Sequence, residues 1–158
     1  MGEPQEGGRR SEESEQGPDP GGLPLRERGP ALAVDGIVAR GGKILLVKRG
    51  REPFKGMYAL PGGFVEYGES VEDAVVREVL EETGLKTRIV RMLGIYSKPG
   101  RDPRGHVASV VFVLDAEKGS AVAGDDASDA EWVPLSRLPE EMAFDHAEIV
   151  RAFRLSSS

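Results

Sequence analysis

The feature that most constrains this chain is a glycine-bounded loop and a strongly acidic helix, which together span Gly63 to Leu85. Ser70 is a favourable N-cap, and Asp73 follows three residues later, close to a capping-box arrangement. Gly84 is typical of the residue just after a helix C-terminus. These signals predict a helix from Val71 to Thr83.

The carboxylates of this helix share a stripe with apolar residues. One stripe at helical spacing comprises Val71, Ala74, Glu78, Glu81 and Leu85. It begins and ends with apolar residues, and its middle is acidic. Residues 69–82 hold six acids and a single base, Arg77. Like charges on a stripe that faces the protein body repel each other, and Mg²⁺ prefers carboxylate oxygens. The segment therefore predicts a metal site. The alternative interpretation is that these acids form a solvated face of the helix.

The same residues carry a family resemblance. The pattern Gly-x5-Glu-x7-Arg-Glu-U-x-Glu-Glu-x-Gly-U, with U aliphatic, is the Nudix box. Its fixed positions here are Gly63, Glu69, Arg77, Glu78, Val79, Glu81, Glu82, Gly84 and Leu85. Because every fixed position is filled, the chain resembles the Nudix hydrolases over about Ala31 to Leu155. Within that family it looks most like the small archaeal and bacterial ADP-ribose pyrophosphatases.

The expected fold class is α/β, a Nudix-type α/β/α sandwich with a mixed central sheet. Apolar patterns and turn signals predict strands over 31–40, 43–48, 85–97, 106–115 and 131–133, and a closing helix over 145–153. Residues 1–29 are rich in Gly, Pro, Glu and Arg and contain no aromatic residue, so we expect a disordered tail. Residues 30–158 form the expected Nudix domain.

The resemblance implies hydrolysis of a nucleoside diphosphate linked to another group, here ADP-ribose, to AMP and ribose 5-phosphate. The implied metal ligands are the Gly62 carbonyl and the carboxylates of Glu78, Glu81 and Glu82, with Mg²⁺ or alternatively Mn²⁺ as the ion. Glu81 also has the alternative role of orienting the attacking water. Arg77 and Glu69 are expected to position the carboxylates. Asp126, in an acidic loop, is the expected general base.

Substrate contacts are expected from basic and aromatic residues on either side of the acidic helix. The candidates are Arg49, Tyr96, Arg101, Arg104 and Phe144. Tyr96, Arg101 and Arg104 belong to a region that resembles the proline-bearing loop of ADP-ribose pyrophosphatases, and Phe144 begins a segment similar to one in that branch. His106 and His146 are expected to be exposed residues at the start of a strand and of a helix.

Two alternatives remain open at this point. One keeps the chemistry but changes the substrate to an oxidised nucleoside triphosphate, another nucleotide sugar or a dinucleotide. The other is a nucleotide-sensing Nudix domain that does not hydrolyse its ligand. The chain lacks cysteine, so it lacks the four-cysteine zinc site that would suggest an NADH-cleaving relative.

Composition narrows the class of partner. The chain has 158 residues and a formal net charge of −6, which argues against nucleic-acid binding. It contains no apolar run of membrane-spanning length, and its N-terminus lacks the apolar segment of a signal peptide. We therefore expect a cytoplasmic protein that has a small-molecule nucleotide substrate and does not act on membranes. A homodimer is expected by analogy with related enzymes.

Overall fold

The computed structural model describes residues 29–118 and 129–156. Asp126 and nearly all of the expected N-terminal tail lie outside the described residues. The strands are β1 Ala31–Arg40, β2 Lys43–Lys48, β3 Tyr58–Ala59, β4 Gly62–Phe64, β5 Thr87–Tyr96, β6 Val107–Ala116 and β7 Ala130–Pro134. The helices are α1 Val71–Thr83 and α2 His146–Ser156, with a 3₁₀ turn at Leu135–Arg137.

The seven described strands form one mixed sheet with β1 at its centre. The order is β3-β2-β1-β6-β5, with β4 also paired to β1 and β7 to β2. β1 runs parallel to β6, whereas its pairings with β2 and β4 are antiparallel. The mixed sheet predicted from the sequence is therefore confirmed.

One edge of β1 pairs with β6, and β2 and β4 share its other edge. Its end pairs with β2 through a tight turn at Gly41 and Gly42, whose φ angles of 56° and 75° favour glycine. Its first half pairs with β4, where Asp35 lies opposite Gly62. The short strands β3 and β4 were not predicted, because two- and three-residue strands have no periodic pattern of their own. Their pairing places Gly62 and Gly63 beside α1.

The two helices cover opposite faces of the sheet. The core beneath α1 includes Val34, Val38, Leu45, Val75, Val79 and Leu114. The core beneath α2 includes Ile37, Ile44, Leu46, Val111, Ile149 and Phe153. Successive strand residues alternate between the two cores, as side chains on a pleated strand do. The predicted α/β/α sandwich is confirmed.

The local signals of α1 act as expected. The Ser70 hydroxyl accepts a hydrogen bond from the Asp73 amide at 3.0 Å, and Gly84 ends the helix with a φ of 77°. The helix packs closely on β1 at Gly36, where an added Cβ would lie 3.1 Å from Val79 Cγ2 and 3.3 Å from Val75 Cγ2. Within the described ranges, no helix combines the length and the apolar character needed to cross a bilayer.

Candidate active site

A cavity of about 610 Å³ opens between β1, β4, α1 and the start of α2. Its lining contains two groups of charged side chains. The acidic group, called the acidic wall below, comprises Asp35, Glu78, Glu81 and Glu82. The basic and aromatic group, called the basic wall, comprises Arg49, Arg51, Arg104 and Phe144. The cavity therefore brings together most of the residues that the sequence singled out, and its lining carries charges of both signs.

Arg77 connects the loop before α1 to the carboxylates on α1. Its Nε and Nη2 donate to the two carboxylate oxygens of Glu69 at 2.6 and 2.9 Å. Its Nη1 donates to Glu78 at 2.8 Å and to Glu81 at 3.3 Å, and its Nη2 donates to the Phe64 carbonyl at 3.2 Å. This fork-shaped pairing fixes the guanidinium in one orientation.

Glu69 is held as an anion by these contacts. Hydrogen bonds from Arg77, followed by one from the Glu66 amide, lower the pKa of Glu69 to about 2. In return, the hydrogen bond to Glu69, and then that to Glu78, raises the pKa of Arg77 above its usual value. The loop before α1 and the helix are thus joined by a fully ionised pair.

Glu82 is the carboxylate in the least favourable environment. Burial, and then the nearby charge of Glu78, raises the pKa of Glu82 to about 8. A hydrogen bond from the Gly62 amide acts in the opposite direction. Because the N–H and C=O groups of one strand residue point to the same edge, the Gly62 carbonyl is also directed towards α1. A cation held by Glu82, Glu78 and this carbonyl would relieve the repulsion, so the donor set fits a hard divalent ion.

The side chains of the described residues do not form a complete metal cage by themselves. Across residues 29–118 and 129–156, no three His, Cys, Asp or Glu side chains are close enough together to hold an ion by themselves. Mg²⁺ commonly binds through one or two carboxylates plus water and substrate phosphate, and such a site needs no cage. The expectation that Glu81 faces the protein body is wrong, since its side chain is 57% exposed.

The basic wall is built around the ring of Phe144. The Arg49 Cζ lies 5.0 Å from the centroid of this ring, and the Arg104 Cζ lies 5.6 Å from it. Phe54 makes an edge contact with the same ring at 4.9 Å between centroids. Phe54 and Phe144 have φ angles of 61° and 55°, which are uncommon for bulky residues. Burial, and then the charge of Arg104, lowers the pKa of Arg49.

Two of the predicted substrate residues have carboxylate partners within the protein. Arg101 donates to both Asp145 oxygens, at 2.9 and 2.7 Å, and its side chain is only 5% exposed. Arg104 donates to the buried Asp102 through its amide, Nε and Nη2. These pairs fix the loop between β5 and β6. Substrate contact by either arginine stays a prediction.

Tyr96 lies apart from the main cavity. It lines a separate groove of about 470 Å³ with Arg101, Asp145 and Glu148, among other residues. Burial, and then the charge of Glu148, raises the pKa of Tyr96. The structure therefore does not bring Tyr96 together with the acidic carboxylates of α1.

His146 contradicts its sequence-based expectation. It is 3% exposed, and its Nδ1 accepts a hydrogen bond from the Leu60 amide at 2.9 Å. His106, by contrast, is exposed as expected. The sequence reasoning also missed Asp35 and Ser109, which are buried and hydrogen-bonded to each other. Their only signal was a single polar residue within each of two apolar strand patterns.

The carboxylate-bearing helix and the arginines that line this cavity supply the metal ligands and the cations that suit phosphate groups, so the α/β fold carries a site of the phosphate-binding class. The family model described as NUDIX domain matches residues 29–153. The chain therefore belongs to the Nudix family.

Three similar proteins are informative about the place of this chain within the Nudix family. An ADP-ribose pyrophosphatase of Methanocaldococcus jannaschii is 58% identical over 124 residues, which is 78% of this chain and 73% of that protein. The NAD-capped RNA hydrolase NudC of Actinobacillus succinogenes is 42% identical over 121 residues, and the match covers 71% of this chain but 44% of that protein. The NUDIX domain of Shewanella oneidensis NrtR complexed with ADP ribose superposes with a TM-score of 0.71 and 28% identity, covering 85% of this chain and 93% of that one.

Proposed function

We propose that this protein is a metal-dependent Nudix pyrophosphohydrolase that cleaves ADP-ribose to AMP and ribose 5-phosphate. The observation that carries the proposal is the 58% identity to an ADP-ribose pyrophosphatase, over 73% of that protein's length. The structural similarity to a NUDIX domain complexed with ADP ribose supports the same ligand. The cavity of about 610 Å³ is within the range that small-molecule sites usually occupy.

The reaction consumes one water molecule. The water oxygen forms a bond to one phosphorus of the diphosphate, and the bridging P–O bond breaks. The bridging oxygen leaves with the other phosphate, and the proton lost by the water passes to a base. The enzyme must therefore neutralise the diphosphate, hold the water in line with the leaving oxygen, and accept that proton.

The acidic wall is the proposed metal side. Glu78, Glu82 and the Gly62 carbonyl are the proposed ligands, with Glu81 as a further ligand or as the group that orients the water. When bound, Mg²⁺, or Mn²⁺ in its place, would neutralise the diphosphate and lower the pKa of a bound water. Arg77 would keep Glu78 and Glu81 oriented through the hydrogen bonds that join them.

The general base is proposed to be Asp126, which lies outside the described residues. Glu81 is the alternative, because its carboxylate lines the cavity and is partly exposed. A base must reach the proton of the attacking water directly or through one further water. Asp126→Asn and Glu81→Gln would distinguish the two candidates. The variant that removes the general base should lose the acidic limb of the kcat–pH profile, in which kcat rises as the base loses its proton.

The basic wall is the proposed site for the remainder of the substrate. Arg49 and Arg104 would contact phosphate or ribose oxygens, and the Phe144 ring would contact the adenine or a ribose face. Arg101 would contribute less, because its side chain is only 5% exposed and its Nε and Nη2 both donate to Asp145. Tyr96 would reach the substrate only if the ligand extended into the neighbouring groove.

The deciding experiment is an initial-rate panel with Mg²⁺. ADP-ribose would be compared with other nucleotide sugars, NAD and other dinucleotides, and nucleoside triphosphates. A large preference in kcat/KM for ADP-ribose is expected. A preference for triphosphates or dinucleotides would replace the substrate and keep the chemistry. Tight binding of ADP-ribose without turnover of any compound would favour the sensing alternative.

A Glu82→Gln variant provides the matching control. It should lose turnover because the amide cannot replace an anionic metal ligand, while affinity for the nucleotide is largely kept. Wild-type turnover by this variant would overturn the metal assignment.

Three further expectations complete the proposal. The catalytic domain is proposed to span residues 30–158, the location to be cytoplasmic, and the assembly to be a homodimer. Sedimentation at working concentration tests the assembly, and a monomer there would remove that part alone.

A further inference from the structure

We propose that His146 and Asp35 are positioning residues that fix the Leu60–Gly62 segment against Glu82. The inference rests on the proposed function for the identity of the metal side. It concerns two buried ionisable side chains, neither of which belongs to the Nudix box. They reach the site from different elements, since Asp35 lies on β1 and His146 begins α2.

The first contact fixes the state of the His146 ring. A backbone amide can only donate, so the hydrogen bond from Leu60 N to Nδ1 at 2.9 Å requires Nδ1 to be unprotonated. In the neutral ring the proton then resides on Nε2. This nitrogen lies 3.6 Å from the Asp35 Oδ1. His146 therefore presents an acceptor to the Leu60 amide and a donor towards Asp35.

The second contact fixes Asp35. Its Oδ2 accepts a hydrogen bond from the Ser109 hydroxyl on β6 at 2.5 Å. Asp35, Ser109 and His146 are all at least nine-tenths buried. A buried polar network of this kind holds one arrangement because each change of geometry leaves a group unsatisfied.

The network reaches the metal side through β4. Asp35 lies opposite Gly62 in the pairing of β1 and β4, and a Cβ on Gly62 would collide with the Val34 carbonyl and the Asp35 carboxylate. The Gly62 amide in turn donates to Glu82. A displacement of Leu60 would therefore move a carbonyl and an amide that both face α1.

A second backbone contact ties the residues just before α2 to β3, which immediately precedes the Leu60–Gly62 segment. The Ala143 amide donates to the Tyr58 carbonyl at 2.8 Å. An apolar residue at position 146 could fill the space of the ring but would leave the buried Leu60 amide without its acceptor. A buried amide without an acceptor raises the free energy of the folded state, so the segment would shift until this amide found another partner.

The test uses three variants of the full chain and Mn²⁺ as the probe. In His146→Asn the side-chain oxygen can take the place of Nδ1 as acceptor for Leu60. In His146→Gln the amide reaches the position of Nε2 instead, and in His146→Leu both polar functions are lost. The readouts are Mn²⁺ affinity without nucleotide, from the electron paramagnetic resonance signal of free Mn²⁺, and kcat and KM for ADP-ribose.

We expect His146→Leu and His146→Gln to weaken Mn²⁺ binding and lower kcat by about 10- to 100-fold, the range typical of residues that orient metal ligands. KM should change little. His146→Asn should recover most of both losses. Equal losses in all three variants would show that only the packing of the ring matters, and wild-type behaviour of His146→Leu would remove any role; either result overturns the proposal.

Ser109→Ala keeps the proposal testable if the leucine variant does not fold. It removes the donor to Asp35 and should weaken Mn²⁺ binding while the Leu60 amide resonance stays shifted by its imidazole acceptor. An unchanged Mn²⁺ affinity would exclude Asp35 from the network's function. Failure of the proposed function would look different, because the wild-type chain would then show no preference for ADP-ribose, or no turnover at all, while its Mn²⁺ affinity still depended on His146.

Discussion

The carboxylate of Glu78 lies directly against the α carbon of Gly63. A Cβ added to Gly63 would stand 2.5 Å from the Glu78 Cδ and 2.6 and 2.7 Å from its two oxygens. A rotation of Glu78 away from such a Cβ would disturb the hydrogen bond that it accepts from Arg77 at 2.8 Å. The glycine that opens the Nudix box is therefore needed here for space, and the space is used by a proposed metal ligand.

Replacement of Gly63 by alanine should displace this carboxylate. Because an error of about 1 Å in an active site can cost about 100-fold in rate, we expect kcat/KM for ADP-ribose to fall by about that factor. Thermal unfolding would be measured in parallel to show that the variant is folded. The matched control is Gly94→Ala, since a Cβ at Gly94 meets its nearest neighbour at an ordinary 3.7 Å. Wild-type kinetics for Gly63→Ala would contradict the steric argument.

Arg77→Lys tests whether the fork of the guanidinium matters beyond its charge. Lysine retains the positive charge but cannot donate to both Glu69 oxygens and to Glu78 at once. We expect kcat to fall by about 10- to 100-fold and the Mg²⁺ concentration for half-maximal activity to rise. Arg88→Lys is the control, because Arg88 pairs with Asp115 on the surface at 3.3 Å and such pairs contribute little. Equal activity of Arg77→Lys and wild type would show that charge alone suffices.

The parts of the molecule that the sequence predicted are those set by local rules. The bounds of α1 follow from the Ser70 cap and the Gly84 stop, both of which are within four residues of the atoms they contact. The β1–β2 turn follows from Gly41 and Gly42. The strand cores follow from apolar runs that tertiary packing did not override. The carboxylate-bearing face of the cavity follows from the box, whose spacing places its glutamates along one helix.

The environments that the sequence did not predict are those that distant residues decide. His146 is buried because the amide of Leu60, 86 positions away, needs its ring as an acceptor. Arg101 is engaged by Asp145, 44 positions away. No local pattern distinguishes an arginine that binds substrate from one that holds two loops together. Helical spacing also assigned Glu81 an inward direction, although its side chain is mostly exposed.

The raised pKa of Glu82 predicts that the stability of the metal-free protein depends on pH. Its pKa rises from the usual 4.5 to about 8 in the folded state, mainly through burial. The folded protein then binds this proton more tightly than the unfolded chain does. The resulting stabilisation is complete below about pH 4.5 and is lost as the pH rises through about 8, at roughly 1.4 kcal/mol per pKa unit of difference.

Thermal unfolding with a chelator across this pH range measures the effect. The wild-type Tm should lose this contribution between pH 5 and pH 8, and Glu82→Gln should remove that part of the slope. Glu72→Gln, an exposed change on the same helix, should leave the slope unchanged. Added Mg²⁺ should raise the Tm at pH 8 far more in wild type than in Glu82→Gln. Parallel pH profiles for wild type and Glu82→Gln would disprove the assignment.

Arg101 allows a structural role to be separated from substrate binding. Its buried pair with Asp145 predicts that Arg101→Ala leaves an unpaired carboxylate and costs about 3–5 kcal/mol in the free energy of unfolding. Replacement of both partners by apolar residues, as in Arg101→Met with Asp145→Leu, should restore much of that stability. Denaturant unfolding gives the stability, and initial rates give KM for ADP-ribose. If Arg101 serves only to join the two segments, KM should return towards the wild-type value in the double variant. A KM that stays high while the stability recovers would instead assign Arg101 to the substrate, as the sequence predicted.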